Sequence, residues 1–303
     1  MDIILTGTGS PIPDPNRAGP STLVKAGDTQ ILIDAGRGVV MRMAGVGTMP
    51  MMLSGVLITH LHSDHVCALN DVITTHWVMT QGTPALKIFG PPGIAQFVER
   101  QLAALEADVG YRIAHHEVLT EGPAIEVTEL EPGDSFAIND VQISVAATEH
   151  SPVKPTIGFR LEHDGKVAAI VGDTIPCEGL DTLVQGADAY VQTVIRPEIV
   201  KLIPNDMIQD ILDYHSGVED AAQTAARCGA KRLVLTHMVP APPLGQYDDW
   251  INEARPHFGG EVLTGDDLFT VSIRAQTGDR PSRTRPTSVV HSDGCNRLCA
   301  SRA

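Results

Sequence analysis

Thr59-His60-Leu61-His62-Ser63-Asp64-His65 is the stretch on which the reading of this chain turns. Three histidines and an aspartate crowd together directly after an apolar run that ends at Ile58. Imidazole and carboxylate are the ligand types that suit zinc, with manganese or iron as alternatives. In an extended segment residues two apart face the same way, so His60 and His62 aim at one position. Asp64 and His65 then turn to face a second. A polar loop with incidental histidines would not concentrate ligand types in this way.

Two ions need more donors than this segment holds. Working outward, lone ligand-type residues recur where apolar strands stop. His150 follows the strand pattern at 141–148, Asp173 follows Ala169-Ile170-Val171-Gly172, and His237 follows Leu233-Val234-Leu235-Thr236. Loops at strand ends are where a rigid scaffold builds a site. Taken singly, each is also readable as a polar residue that ends a strand. Beside the cluster they read as the missing ligands.

Short apolar runs alternate with helical patterns along the rest of the chain. Strands are predicted at 3–6, 30–34, 54–59, 141–148, 156–162, 166–171, 189–194 and 232–236. Asp164-Gly165 is a hairpin signal between two of them. Helical spacing covers 94–105, after Pro91-Pro92, and 218–228. Strands followed by helices, twice over, imply two sheets packed face to face with helices outside.

The 303 residues are 43% apolar but only 4% aromatic, so the core is built from aliphatic side chains. A net charge of −15 favours solubility and disfavours a nonspecific grip on nucleic acid. No DNA-binding motif and no basic footprint of that kind is present. The first residues form no signal peptide, and no apolar run is long enough to span a membrane. Cys67, Cys177 and Cys228 read as reduced core or near-site thiols, which fits a cytoplasmic protein. Composition shifts near 275, and residues 275–303 hold five Arg against two Asp with abundant Ser, Thr and Pro. That tail is expected to be disordered outside a 1–274 domain. Cys295 and Cys299 sit in it without a partner pair for a structural zinc site.

His-x-His-x-Asp-His followed by a later His, an Asp and a final His resembles the metallo-β-lactamase superfamily. Within it the chain is most similar to the ribonuclease Z family of tRNA 3′-processing endonucleases, in the form found in actinobacteria. Leu5-Thr6-Gly7-Thr8-Gly9-Ser10 resembles that family's opening strand and glycine turn. Phe89-Gly90-Pro91-Pro92-Gly93, Gly172-Asp173-Thr174-Ile175-Pro176-Cys177 and Arg232-Leu233-Val234-Leu235-Thr236-His237 resemble later segments. The likeness runs over residues 1–274. It implies a four-layer αββα sandwich of the α/β (α+β) class. It implies two Zn²⁺, with Mn²⁺ or Fe²⁺ possible, and a homodimer. His60, His62 and His150 would hold one ion, and Asp64, His65 and His237 the other. Asp173 would bridge them. Asp64 and His215, in Tyr214-His215-Ser216-Gly217, would be the catalytic pair, His215 without being a metal ligand.

Such a centre makes a nucleophile at neutral pH by lowering the pKa of bound water from about 15.7 to about 7. Asp64 is the natural acceptor of the water's proton, and His215 a donor to the leaving oxygen. Two departures accompany the likeness. The long arm that typical bacterial members insert between the third metal histidine and the bridging aspartate does not fit the short interval from His150 to Asp173. The family's His-Glu-Ala-Thr segment falls on Gln192-Thr193-Val194-Ile195, so Thr193 replaces the glutamate.

Three functions remain open on these residues: an RNA phosphodiesterase of the ribonuclease Z type, a hydrolase of a small ester, lactone or aryl sulfate, and a metal-binding module without catalysis. A site mouth lined by Lys and Arg would favour the first, an apolar enclosed pocket the second. His76 is expected to pack near the site, and His115, His116, His163, His257 and His291 to lie apart from it.

Overall fold

A computed structural model describes residues 1–274. The expected tail at 275–303, with Cys295, Cys299 and His291, lies outside the described residues. Two seven-stranded sheets form the centre. The first contains β1 (Asp2–Gly7), β2 (Ser21–Ala26), β3 (Thr29–Ile33), β4 (Gly55–Leu57), β5 (Leu86–Gly90) and β6 (Ile125–Glu129). The second contains β7 (Ser135–Ile138), β8 (Val141–Ala147), β9 (Ile157–His163), β10 (Lys166–Ile170), β11 (Ala189–Ile195), β12 (Arg232–Val239) and β13 (Glu261–Leu263). A last strand, β14 (Thr270–Ser272), returns to pair with β1. The orders are β14-β1-β2-β3-β4-β5-β6 and β13-β12-β11-β10-β9-β8-β7.

Each sheet is half antiparallel and half parallel. The β3, β4, β5 and β6 ladders are parallel, and so are those of β10, β11, β12 and β13. The central strands are covered on both faces, which explains their near-continuous apolar sequences. In β3, Ile31 and Ile33 enter the core between the sheets, while Leu32 packs into the outer helical layer. This is the two-residue alternation of a strand. The inter-sheet core joins Ile3, Leu5, Val24 and Ile31 to Ile143, Phe159, Leu161 and Val191.

Helices close both outer faces. The first sheet carries α1 (Val39–Gly45), the single turn α2 (Ser63–Val66), α3 (Leu69–Thr80) and α4 (Ile94–Ala104), followed by the exposed α5 (Glu106–His115). The second carries α6 (Glu178–Val184), then the short α7 (Pro197–Val200) and α8 (Asp206–Gln209), then α9 (Val218–Arg227) and α10 (Asp248–Ala254). Val218, Ala221, Ala222 and Ala225 line the buried stripe of α9 at helical spacing. The architecture is the expected αββα sandwich. Strands β2 and β5, the edge strands β6, β7, β13 and β14, and the helices other than α3, α4 and α9 are additions to the sequence reading.

Parallel strands end at one rim of the sandwich, where such sheets gather functional loops. Asp34 follows β3, His60 follows β4, Asp173 follows β10, and His237 lies in β12. Between His150 and Asp173 the chain runs through the β9–β10 hairpin, whose turn residues Asp164 and Gly165 both have positive φ (49° and 68°). Cys228 is buried, Cys177 half-buried and Cys67 exposed beside the histidine cluster, all as free thiols. Among the described residues no helix is long and apolar enough to cross a membrane.

Candidate metal centre

His60 and His62 leave β4 in extended backbone, and His62 is the residue before the α2 turn. That turn swings Asp64 and His65 to a different direction, as their sequence position implied. The structure brings all seven expected ligands together, in two groups. Donor atoms of His60, His62, His150 and Asp173 lie within 4.8 Å of one another, and so do those of Asp64, His65 and His237. Asp173 Oδ2 stands between the groups. It lies 3.9 Å from His60 Nε2 and His150 Nε2, 3.4 Å from His65 Nε2 and 3.7 Å from His237 Nε2.

Gly172 allows this approach. A Cβ there would lie 2.4 Å from Thr59 Oγ1 and 3.0 Å from Thr59 Cβ. Only a residue without a side chain lets the Asp173 loop pass the end of β4. His237 itself has φ 50°, a left-handed backbone that is uncommon for a residue with a Cβ.

The outer nitrogens of His60, His65 and His150 are held by acceptors, so their inner lone pairs face the centre. His65 Nδ1–H donates to Asp34 Oδ2 at 2.7 Å. The Thr59 hydroxyl also donates to Asp34 Oδ2, at 2.8 Å, leaving its oxygen to accept from His60 Nδ1–H at 3.0 Å. His150 Nδ1–H donates to the Tyr214 carbonyl at 2.8 Å. Asp34, Thr59 and this carbonyl are functional groups that the sequence reading did not assign.

Among the described residues, His60 Nε2, His65 Nε2 and Asp173 Oδ1 are buried at the centre without any hydrogen-bond partner. Buried polar groups are rarely left so, and a bound cation is the partner suited to the converging nitrogens and the carboxylate. The donor set therefore fits metal ions. Burial pushes His60 well below the usual imidazole range, lowers His62, and brings His150 down to about 4. These rings are held in the neutral form that binds metal. Burial works in the same direction on His65 and His237, but Asp173 outweighs it, aided by Asp34 at His65 and Asp64 at His237, and both are raised. Asp173 is pushed up by burial yet held well below the carboxylate range by His237, His65 and His215.

His215 lies at the edge of the centre. Its Nε2 is 3.3 Å from Asp173 Oδ2, and its Nδ1 is 3.1 Å from the Ile211 carbonyl. Thr193 does not support it: its hydroxyl donates to the Gly172 carbonyl at 3.1 Å. His76 is buried on α3 outside the ligand groups. His115 and His116 are exposed, His163 binds Asp140, and His257 faces Glu219.

The mouth of the centre is a cavity of about 190 Å³ over His62, Asp173, His215 and His237. Its walls are largely apolar, with Ile12, Met207, Ile208 and Ile211 among them. No Lys or Arg among the described residues lines it.

Residues 29–238 match the model of the Beta-lactamase superfamily domain. The chain is 49% identical over 284 residues to a ribonuclease Z of Mycolicibacterium gilvum, covering 93% of this chain and 99% of that protein. It is 53% identical over 275 residues to a ribonuclease Z of Mycobacterium bovis, covering 90% and 98%. Among solved structures, human tRNase Z, short form, superposes with a TM-score of 0.67 at 23% identity, over 91% of this chain and 100% of that one. The metallo-beta-lactamase fold protein YhfI from Bacillus subtilis gives 0.69 at 21% identity, over 89% and 98%. The last two likenesses speak for the fold, and the first two for closer kinship. The chain belongs to the beta-lactamase superfamily and, within it, to the ribonuclease Z family.

Proposed function

We propose that this chain is a dinuclear metal-dependent hydrolase of the ribonuclease Z type that cuts a phosphodiester in RNA. The observation that carries this is the conjunction of near-complete, half-identical coverage by ribonuclease Z relatives with the convergence of seven ligand residues on one rim. His60, His62 and His150 would hold one ion, Asp64, His65 and His237 the second, and Asp173 would serve both. All-nitrogen-and-oxygen donation from His and Asp suits zinc, and accepts manganese or iron. Bound there, a metal pair supplies a water of depressed pKa and neutralises charge on the phosphate.

The protein's own groups do the rest. Asp64 accepts the proton of the attacking water. His215 holds a proton on Nε2, its ring oriented by the Ile211 carbonyl, and gives it to the leaving oxygen as the P–O bond breaks. Asp34, Thr59 and the Tyr214 carbonyl keep three ligand rings aimed. We place the protein in the cytoplasm, on its free thiols, and expect a homodimer from the family resemblance.

One observation favours a second reading. The mouth is apolar and no Lys or Arg among the described residues lines it, as suits a small ester, lactone or aryl sulfate rather than a polyanion. The deciding experiment is an assay of metal-loaded enzyme against a precursor tRNA with a 3′ trailer, bis(p-nitrophenyl) phosphate and a panel of aryl esters, lactones and aryl sulfates. Phosphodiester cleavage is expected. Turnover of esters or lactones alone would overturn the nuclease reading in favour of the second.

A further inference from the structure

The mouth of the metal centre has a size and lining that specify what enters it. Ile12 is 59% exposed and Met207 79% exposed, and both line it. Apolar side chains kept in water contribute little to the fold, and a group of them at a functional cleft marks a contact surface. The walls are fixed in place. The loop bearing Ile12 is anchored by buried Arg17, which donates to the Pro242 carbonyl at 2.7 Å and to Tyr247 Oη at 3.3 Å. The segment bearing Ile211 and Tyr214 is tied to the centre through their carbonyls, which accept from His215 and His150.

An apolar cavity of roughly 150 Å³ accommodates benzene. The 190 Å³ here thus takes one planar ring and little more. It falls short of the roughly 300–1,000 Å³ of pockets for larger ligands. A phosphate chain would need Lys or Arg along its path, and neither lines the slot among the described residues.

Resting on the phosphodiesterase reading, we propose that this slot receives one uncharged planar ring beside the scissile bond, clasped by Ile12, Met207, Ile211 and Tyr214. In RNA the ring is a nucleobase, and in a small diester an aryl group. Ring contact, rather than phosphate contact, then sets affinity at the mouth.

Calorimetric binding to the metal-loaded protein tests this independently of turnover. The probes are benzyl(methyl)phosphinate, propyl(methyl)phosphinate and dimethylphosphinate, which carry one negative charge and no ester to hydrolyse. The benzyl compound should bind roughly tenfold tighter than the other two, within the range of single-ring stacking. Met207→Ala and Ile12→Ala, both at exposed positions, should reduce that ratio to about threefold or less with metal content unchanged, and Ile211→Leu should retain it. A precursor RNA with an abasic ribose next to the scissile bond should show a KM raised by a similar factor, separating the nucleobase from the aryl source. Equal affinity for all three phosphinates would overturn the slot, and so would an undiminished ratio in both alanine variants. Absence of phosphodiester cleavage with ring-selective binding intact would instead overturn the nuclease reading, and would assign the slot to a small aryl substrate.

Discussion

His65 Nδ1 and Asp34 Oδ2 are 2.7 Å apart, and the same carboxylate receives the Thr59 amide at Oδ1 and the Thr59 hydroxyl at Oδ2. One buried side chain thereby orients a ligand of each proposed ion: His65 directly, and His60 through Thr59. Asp34 has φ 61°, a conformation that Asp and Asn tolerate better than most residues. Asp34→Asn keeps the backbone but offers only one acceptor oxygen. Asp34→Ala offers none. Outer acceptors of this kind are worth about 10–100-fold in metal affinity. Chelator competition should give losses of that size for Asp34→Ala and smaller ones for Asp34→Asn. Unchanged affinity in both would remove Asp34 from the positioning role.

Asp173 is expected to serve both ions, because its Oδ2 lies within 3.9 Å of ligand nitrogens from each group. Asp173→Ala should lower the bound metal from about two ions per chain toward none. His60→Ala should weaken one site and spare the other. Elemental analysis of the two proteins after identical dialysis distinguishes them. A full complement in Asp173→Ala would contradict sharing.

A pH prediction comes from the far end of the second sheet. Asp188, buried at the start of β11, receives Lys231 Nζ at 2.7 Å and the Val167 amide at 3.0 Å, with Lys166 Nζ at 3.8 Å. Burial alone would raise its pKa, but the Lys231 hydrogen bond, the Val167 amide and the two ammonium charges hold it below the ordinary carboxyl range. A depressed folded-state pKa contributes stability above the unfolded value of about 3.9 and loses it as pH falls through the folded value. Asp188→Asn should therefore cost about 1 kcal/mol near neutrality, because the Lys231 ammonium is mostly in water and its pairing is screened. The gap to the wild type should narrow below about pH 4. Denaturant titrations at pH 7 and pH 3.5 check this, and a gap that widens on acidification would reverse the assignment.

Local signals account for what the sequence revealed of this molecule. The candidate ligands were legible because four form one dense cluster after an apolar run and the other three each end such a run, and Asp164-Gly165 marked its hairpin because that turn needs two positive φ angles. Asp34 ends Ile31-Leu32-Ile33 in the same manner, yet it meets His65, 31 residues on, only through the pairing of β3 with β4, so no spacing betrayed it. The Ile211 and Tyr214 carbonyls are backbone groups that any residue would supply, and they leave no mark in composition. Met207 and Ile12 are far apart in the sequence and carry no motif, and only the fold brings them to one slot. Thr193 was legible as a departure from the family, but its bond to the Gly172 carbonyl was not.

The last prediction concerns His215, which separates catalysis from metal binding. Its Nε2 is 3.3 Å from Asp173 Oδ2, while its Nδ1–H is committed to the Ile211 carbonyl at 3.1 Å. It lies outside both groups of converging ligand atoms. His215→Ala should therefore leave metal content intact. Its rate should fall by roughly 10²–10⁴, the usual worth of a positioned general acid or base. The size of the loss should depend on the leaving group. A nitrophenolate departs without a proton, so the mutant should approach the wild type on bis(p-nitrophenyl) phosphate. An alkoxide or a ribose hydroxyl needs the proton, so the loss should be greatest there. Rates plotted against leaving-group pKa should be shallow in the wild type and steep in the mutant. Parallel lines, or metal lost from the mutant, would take the acid role away from His215 and make it a residue that shapes the site instead.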